Sequence, residues 1–294
     1  MKGSVTAGDW LLLFAISLIW GSSFILIDRS LHAFAPTQVA CLRIVLSAVV
    51  LLPFFLQRRH TLDFRQTRHI TVQSLFGNFV PAFLFPAAQV HVNSATAGIM
   101  NSLSPAWAFL LGLLFFGASF RWMQLAGIAV AFAGAVMLLF QPAKVGATAY
   151  GTLLILATLC YGLSSNLVNR HLRHIDALSI SSTGFVILSF PALIILFGTA
   201  GFVPLLKDPQ AWQSLGYIAL LAVMGSAVAS TLFYRLLQRT NTLFAMSVTY
   251  LMPVVALLWG WLSGETLSFT DLAGMALILG GIYLLSRRPS RQSY

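Results

Sequence analysis

Apolar residues occur along this chain in long continuous runs, and short polar or basic segments separate one run from the next. The runs do not alternate apolar with polar residues as a half-buried strand would, and they are 17 to 23 residues long. A helix needs about 20 apolar residues to cross a hydrocarbon layer of roughly 30 Å. The pattern therefore predicts ten membrane-spanning helices, with these apolar runs: Trp10–Ile27, Thr37–Leu56, Ile70–Val90, Thr96–Phe116, Trp122–Phe140, Thr152–Val168, Ala177–Phe197, Trp212–Tyr234, Thr242–Leu262 and Thr270–Ser286.

The composition indicates that most of this chain lies in lipid. Hydrophobic residues make up 58% of the 294 residues and charged residues only 8%, which leaves too little polar surface for a water-soluble protein. The runs are continuous, which excludes the alternating strands of a membrane barrel. The predicted fold class is an all-α membrane protein, with no separate soluble domain.

The basic residues predict the orientation of the chain. The net charge is +10, but the positive residues lie in short loops rather than on one folded face, so we do not expect a nucleic-acid partner. With the amino terminus inside, only Arg29, Lys144 and Lys207 lie outside. Both termini are therefore predicted to be cytoplasmic, in the inner membrane of a bacterium, with the first run retained as a helix. The predicted inside segments hold thirteen basic residues: Lys2, Arg58, Arg59, Arg65, Arg68, Arg121, Arg170, Arg173, Arg235, Arg239, Arg287, Arg288 and Arg291.

The second half of the chain repeats the first. A shift of 148 residues pairs Gly77 with Gly225, Phe85 with Phe233, Asn93 with Asn241, Ala97 with Ala245, Pro105 with Pro253 and Gly112 with Gly260. A shift of 147 pairs Gly117 with Gly264 and Gly134 with Gly281, and a shift of 141 pairs Trp20 with Tyr161 and Arg29 with Arg170. Each copy has five helices, so the second enters the membrane upside down, an arrangement typical of secondary transporters. We predict two five-helix repeats, residues 1–141 and 142–294.

The opening of the chain resembles a known family. The run Ile19–Phe24, followed by Pro36 and the in-helix Arg43, is similar to the start of EamA-type members of the drug/metabolite transporter superfamily. The end of the second half is similar to the same domain through Pro253, Gly264, Glu265, Gly274 and Gly281. The resemblance implies a ten-helix exporter with a central cavity, whose substrates range over amino acids and other metabolites. Members of this family often have an acidic residue after the fourth helix, but this chain has Ala118 there. Any role of that acidic residue must therefore be carried by Glu265 alone.

Two mirrored prolines, Pro105 and Pro253, lie near the middle of the fourth and ninth helices. A proline removes a backbone donor and frees a carbonyl, so we predict gating roles for both. Polar side chains cluster there and in the third and eighth helices, and Trp20, Trp107 and Tyr161 lie near the same depth. The alternative is that Ser and Thr bond to their own helix and that the rings pack against helices or lipid. The candidate cavity residues are Trp20, Ser23, Arg43, Asn78, Asn101, Ser104, Trp107, Tyr161, Ser226, Ser230 and Tyr250.

Charged residues are almost absent from the middle of the predicted helices. The seven acidic residues all lie at helix ends or in loops: Asp9, Asp28, Asp63, Asp176, Asp208, Glu265 and Asp271. No central carboxylate is available for a lipophilic cation or a proton relay. Arg43 lies deep enough to attract a substrate carboxylate and shallow enough to snorkel or to bond helix carbonyls.

These features predict a transporter that exports a small neutral or zwitterionic metabolite, such as an amino acid, by alternating access. Arg29 and Arg43 leave a flippase for a lipid-linked head group as an alternative, and an intramembrane enzyme is a weaker one. No cofactor or metal is expected. Small residues on the fifth helix (Gly127, Ala131, Ala135) and the tenth (Ala276, Gly280) favour packing within a monomer, with a dimer through these helices left open.

Overall fold

Each predicted apolar run is helical over nearly all of the residues that the computed structural model of the chain describes. The structure describes residues 6–116, 122–139, 147–198, 209–240, 242–265 and 268–286, and within these ranges it contains no strand. The helices are α1 (Ala7–Ser30), α2 (Pro36–Arg58), α3 (Phe64–Gln89), α4 (Ser94–Phe116), α5 (Trp122–Leu139), α6 (Ala147–Leu167, extended by Val168–Leu172), α7 (Ala177–Gly198), α8 (Pro209–Arg239), α9 (Thr242–Met246 and Val248–Leu262) and α10 (Phe269–Ser286). The predicted all-α membrane fold is confirmed.

Several residues of the sequence analysis lie outside the described ranges. They are Lys2, Gly117, Ala118, Arg121, Phe140, Lys144, Lys207, Asp208, Asn241, Arg287, Arg288 and Arg291.

Polar caps carry some helices beyond their apolar runs. α1 begins at Ala7 rather than Trp10, because Thr6 and Asp9 bond to each other's backbone N–H groups. α3 begins at Phe64 rather than Ile70, because Asp63 and Gln66 form the same reciprocal pair. A capping box satisfies N–H groups that have no partner within the helix. An apolar run alone therefore underestimates the length of these helices.

Five of the helices are irregular near their middle or end. Wide π-helical turns occupy Leu75–Phe79 in α3, Val168–Leu172 in α6 and Leu221–Val228 in α8. α4 is interrupted between Asn101 and Ser104, and α9 is interrupted at Ser247. Irregular turns leave backbone groups available to side chains from other helices.

The two halves pack against each other through equivalent helices. α2 lies against α7, α4 against α9, and α5 against α10, while α1 contacts α8 and α9 in the same way that α6 contacts α3 and α4. α5 and α10 approach most closely at glycines: a Cβ on Gly127 would lie 2.5 Å from the Gly281 carbonyl oxygen. The predicted small residues of α5 thus pack within the chain, whereas Ala276 and Gly280 of α10 face outward.

Candidate functional site

A cavity of about 840 Å³, measured with its open part, lies between six helices in the middle of the molecule. α1, α3, α4, α6, α8 and α9 form its walls, and α2 contributes one residue. The lining residues are Trp20, Ser23, Phe24, Ile27, Arg43, Gly77, Asn78, Phe85, Asn101, Ser104, Tyr161, Ser164, Ser165, Ser230, Phe233, Tyr234, Met246, Thr249 and Met252.

Eight of the eleven candidate cavity residues line this space. They are Trp20, Ser23, Arg43, Asn78, Asn101, Ser104, Tyr161 and Ser230. The structure therefore brings together side chains from both halves of the chain, although whether they bind a substrate stays a prediction.

The other three candidates, Trp107, Ser226 and Tyr250, are not lining residues. Trp107 packs edge-on against Phe132, with 4.8 Å between ring centroids, and the Tyr250 hydroxyl donates to the Ile282 carbonyl at 3.3 Å. The two rings face α5 and α10 rather than the cavity. Ser226 lies behind the wall and accepts a hydrogen bond from Arg43.

The wide turn of α8 is held from two sides by cavity residues. Trp20 Nε1 donates to the Gly225 carbonyl at 2.8 Å, and Arg43 Nε donates to Ser226 Oγ at 2.6 Å. A π-helical turn does not use its carbonyls in the regular pattern, so Gly225 can accept from another helix. Residues of α1 and α2 thereby fix the position of α8 beside the cavity.

A buried group of polar side chains bounds the cavity toward the beginning of α3. Gln73 Nε2 donates to Ser164 Oγ at 2.7 Å and to the Tyr234 hydroxyl at 2.9 Å. Asn78 Nδ2 donates to the same hydroxyl at 3.1 Å. We call these four residues the Gln73 cluster, and it joins α3, α6 and α8. Its hydrogen bonds satisfy groups that would be costly to bury alone.

Aromatic side chains form the rest of the wall. The ring of Trp20 lies 5.0 Å from that of Phe233, and the ring of Phe85 lies 5.9 Å from Tyr161 and 5.7 Å from Phe24. Toward the end of α3, Phe24 and Phe85 are buried, and Gln89 Nε2 donates to the Phe24 carbonyl at 2.8 Å. Packed rings and a side-chain hydrogen bond thus form this end of the cavity wall.

The two predicted gating prolines lie just behind the lining. Each proline leaves the carbonyl four residues earlier without its helical donor. The carbonyl freed by Pro105 belongs to Asn101 and accepts from Ser104 Oγ at 2.8 Å. The carbonyl freed by Pro253 belongs to Thr249 and accepts from Ser102 Oγ at 2.9 Å, across from α4 to α9. Serines thus replace the backbone bonds that the prolines remove.

Arg43 is the one charged residue among those that line the cavity. Within the described residues, no carboxylate lies within 4.0 Å of it, since the ion pairs there are Arg58 with Asp176 and His32 with Asp28. Glu265 is elsewhere: its carboxylate accepts from the backbone N–H groups of Ser94 at 3.0 Å and Ala95 at 3.1 Å, at the start of α4. The lining is mostly apolar, with several uncharged polar side chains and Arg43 as the charged residue among those described.

Most of the lining residues that the sequence analysis did not select are paired by the internal repeat with another lining residue. Shifts of 141 and 148 residues place twelve of the nineteen lining residues in pairs. Ser164 could have been found as the partner of Ser23, and Thr249 as the partner of Asn101. The pairs are Trp20 with Tyr161, Ser23 with Ser164, Phe24 with Ser165, Phe85 with Phe233, Asn101 with Thr249 and Ser104 with Met252.

Comparison with known proteins gives consistent matches over nearly the whole chain. A sequence model of the EamA-like transporter family matches twice, at residues 8–140 and 149–287. The chain is 27% identical to the uncharacterized inner membrane transporter YedA of Escherichia coli K12, covering 93% of this chain and 89% of that protein. It is 28% identical to a probable amino-acid metabolite efflux pump of Salmonella typhimurium, covering 94% of each.

Two further matches extend this comparison. A probable terminal-alkyne amino-acid exporter of Streptantibioticus cattleyicolor is 25% identical, over 95% of this chain and 93% of that protein. A crystal structure of a protein aligns with a TM-score of 0.64 at 18% sequence identity, over 96% of this chain and 97% of that chain. The structural match indicates a shared fold.

Proposed function

Because this chain belongs to the EamA-like transporter family, we propose that it exports a small neutral or zwitterionic metabolite, such as an amino acid, from a bacterial cell by alternating access. The observation that carries the proposal is the central cavity, whose mainly apolar wall holds aromatic rings, several uncharged polar side chains and, among the described residues, a single charged one, Arg43. The names of the Salmonella and Streptantibioticus relatives support an amino-acid substrate.

Two oppositely inserted five-helix repeats, residues 1–141 and 142–294, build the transporter in this proposal. The mirrored lining pairs and the equivalent contacts of the two halves support that arrangement. Both termini lie in the cytoplasm, since the basic residues then concentrate on the inner side. Inverted repeats let one fold open to each side of the membrane in turn around a fixed site.

Rocking of the halves requires a barrier on each side of the cavity. The Gln73 cluster forms one barrier, and Phe24, Phe85 and Gln89 form the other. Pro105 and Pro253 each lie four residues after a lining residue, Asn101 and Thr249. The carbonyls of these two lining residues accept hydrogen bonds from serine hydroxyls instead of from the helix backbone. These two positions serve as the gating points.

Efflux from proteoliposomes tests the proposal. Purified protein is reconstituted into vesicles loaded with the twenty standard amino acids, and each solute outside is measured by mass spectrometry over time. We expect a subset of the amino acids with uncharged side chains to leave at least tenfold faster than from protein-free vesicles. If no amino acid leaves faster, the proposed function is wrong, and a substrate recovered in chemically altered form would favour an enzyme.

A further inference from the structure

Arg43 presents an unused binding surface to the cavity. Its Nε is engaged by Ser226 Oγ at 2.6 Å, while within the described residues its two terminal nitrogens make no hydrogen bond and face no carboxylate within 4.0 Å. A guanidinium offers its donors in a planar fork that matches the two oxygens of a carboxylate. A cation inside a membrane protein needs an anionic partner, and the residues that the structure describes do not supply one to Arg43.

Asn101 presents the complementary group. Its side chain is 4% exposed and lines the cavity, and its Nδ2 donates to the sulfur of Met252 at 3.7 Å. Its Oδ1 is buried and has no hydrogen-bond partner. A buried acceptor without a donor is unfavourable, so this oxygen is suited to an N–H group of a bound molecule.

The remaining lining restricts what else such a molecule can carry. Trp20, Phe85, Tyr161 and Phe233 form a wall of rings, and none of the described lining residues carries a carboxylate to hold a second positive charge. A second negative charge would find no further cation. An apolar or aromatic side chain therefore fits this wall, whereas a lysine or glutamate side chain does not.

We infer that the cavity binds an α-amino acid as its zwitterion, with the carboxylate on Arg43, the ammonium group on Asn101 Oδ1, and an apolar or aromatic side chain against the rings. This inference rests on the proposed function and specifies its substrate class. Ser226 is a positioning residue, because it holds the guanidinium through Nε and leaves both terminal nitrogens for the ligand.

Substrate analogues test the inference on the unmodified protein. Proteoliposomes are loaded with equal amounts of L-phenylalanine, L-leucine, L-lysine and L-glutamate, together with L-phenylalaninamide, which lacks the carboxylate, and 3-phenylpropionate, which lacks the ammonium group. Efflux is corrected for leak from protein-free vesicles. We expect phenylalanine and leucine to leave at least tenfold faster than each of the other four solutes.

Substitutions at Arg43 and Asn101 test which residue binds the carboxylate and which binds the ammonium group of the substrate. Arg43→Gln should remove the preference for phenylalanine over phenylalaninamide, and Arg43→Lys should keep part of it. Asn101→Leu should remove the preference for phenylalanine over 3-phenylpropionate and leave the preference over the amide. A purely structural role would lower all rates together and leave these ratios unchanged.

The outcomes separate the two proposals. If phenylalaninamide or 3-phenylpropionate leaves as fast as phenylalanine, or if only lysine or glutamate moves, the binding mode is wrong while transport stands. If no solute leaves faster than from protein-free vesicles, the proposed function fails, and this inference fails with it. If a variant does not fold, the efflux rates of the analogues relative to phenylalanine in the unmodified protein still test whether the cavity binds the zwitterion.

Discussion

At the scale of single residues, the cavity depends on close contacts that leave no room for an added methyl group. Gly77 lies between Gln73 and Ser164 in the Gln73 cluster. A Cβ at this position would press against the Ser164 hydroxyl and lie 2.8 Å from Gln73 Nε2. Because the cluster joins three helices, a displacement here moves hydrogen bonds on α3, α6 and α8 together.

Replacing Gly77 with alanine should destabilise the protein. Overpacking of a tight interior costs about 1–3 kcal/mol, which exceeds the gain of up to about 1 kcal/mol from alanine's helix propensity. We expect a lower midpoint in thermal unfolding of the detergent-purified protein. Gly216→Ala is the matched control, because no atom lies within 4 Å of a Cβ there, and it should be neutral or stabilising. A Gly77→Ala protein as stable as the Gly216→Ala protein would contradict this account.

The residue scale is also where sequence reasoning reached its limit. Trp20 and Trp107 lie at similar predicted depths, yet only Trp20 faces the cavity. Depth follows from position in an apolar run, but the face of the helix does not, because these helices are apolar on the lipid side and the packing side alike. Ser164 was recoverable from the repeat, whereas the bond between Arg43 and Ser226 joins α2 to α8 and has no local pattern.

At the scale of helices, interrupted segments next to the cavity are the parts suited to move. α4 and α9 cross where Ser102 bonds to the carbonyl freed by Pro253. Side-chain hydrogen bonds can exchange partners more easily than a continuous helical ladder. The apolar runs predicted all the helices, because lipid requires backbone groups to be satisfied within the segment. Prolines and polar residues near Asn78 and Gly225 predict irregular third and eighth helices, but the sequence does not predict that the irregularity takes the form of wide π-helical turns, nor the third such turn, in α6, because partners on other helices select them.

Replacing Pro105 or Pro253 with alanine should slow transport more than it weakens binding. The restored N–H competes with Ser104 or Ser102 for the freed carbonyl and straightens the helix. We expect turnover to fall by about tenfold with less than about a twofold change in KM, measured as efflux rates at several substrate concentrations. Pro53→Ala is the control, because Pro53 is an exposed proline within α2. Equal losses in turnover and KM, or none, would rule out gating at these positions.

Glu265 anchors the start of α4 in the same way that an N-cap residue does. Its carboxylate accepts from the backbone N–H groups of Ser94 and Ala95 and from the Ser94 hydroxyl. Glu265→Gln should cost about 1–2 kcal/mol, because an amide loses the charge that favours a helix N-terminus. Thermal unfolding measures the loss, and Asp63→Asn at the exposed cap of α3 should change little. Unchanged stability of Glu265→Gln would show that the cap is unimportant.

At the scale of the whole molecule, the proposal is two five-helix copies around one shared cavity. The internal repeat made this arrangement predictable, because single shifts relate landmarks along most of each half. The same shifts also pair residues that line the cavity in the structure, including ones that the sequence analysis did not select. The repeat did not reveal the departure that matters chemically: Arg43, the one charged residue among the described lining residues, has no charged counterpart in the second half.

The two barriers proposed for the cavity differ in chemistry. The Gln73 cluster is a network of hydrogen bonds, whereas Phe24 and Phe85 close the other end by packing. Water can replace the hydrogen bonds of the cluster when that side opens, but exposed rings gain no such compensation. In alternating access, the cavity lining that is buried here becomes exposed to water first on one side of the membrane and then on the other.

Accessibility of one lining residue from each side tests this claim most directly. Ser230→Cys is placed in a background with Cys41→Ala and Cys160→Ala, both buried cysteines, and is treated with a membrane-impermeant maleimide in right-side-out and inside-out vesicles. Leu156→Cys, on the outward face of α6, serves as the control. We expect Ser230→Cys to be labelled from both sides and protected by L-phenylalanine, and Leu156→Cys to stay unlabelled. Labelling of Ser230→Cys from one side alone, or from neither, would contradict the account.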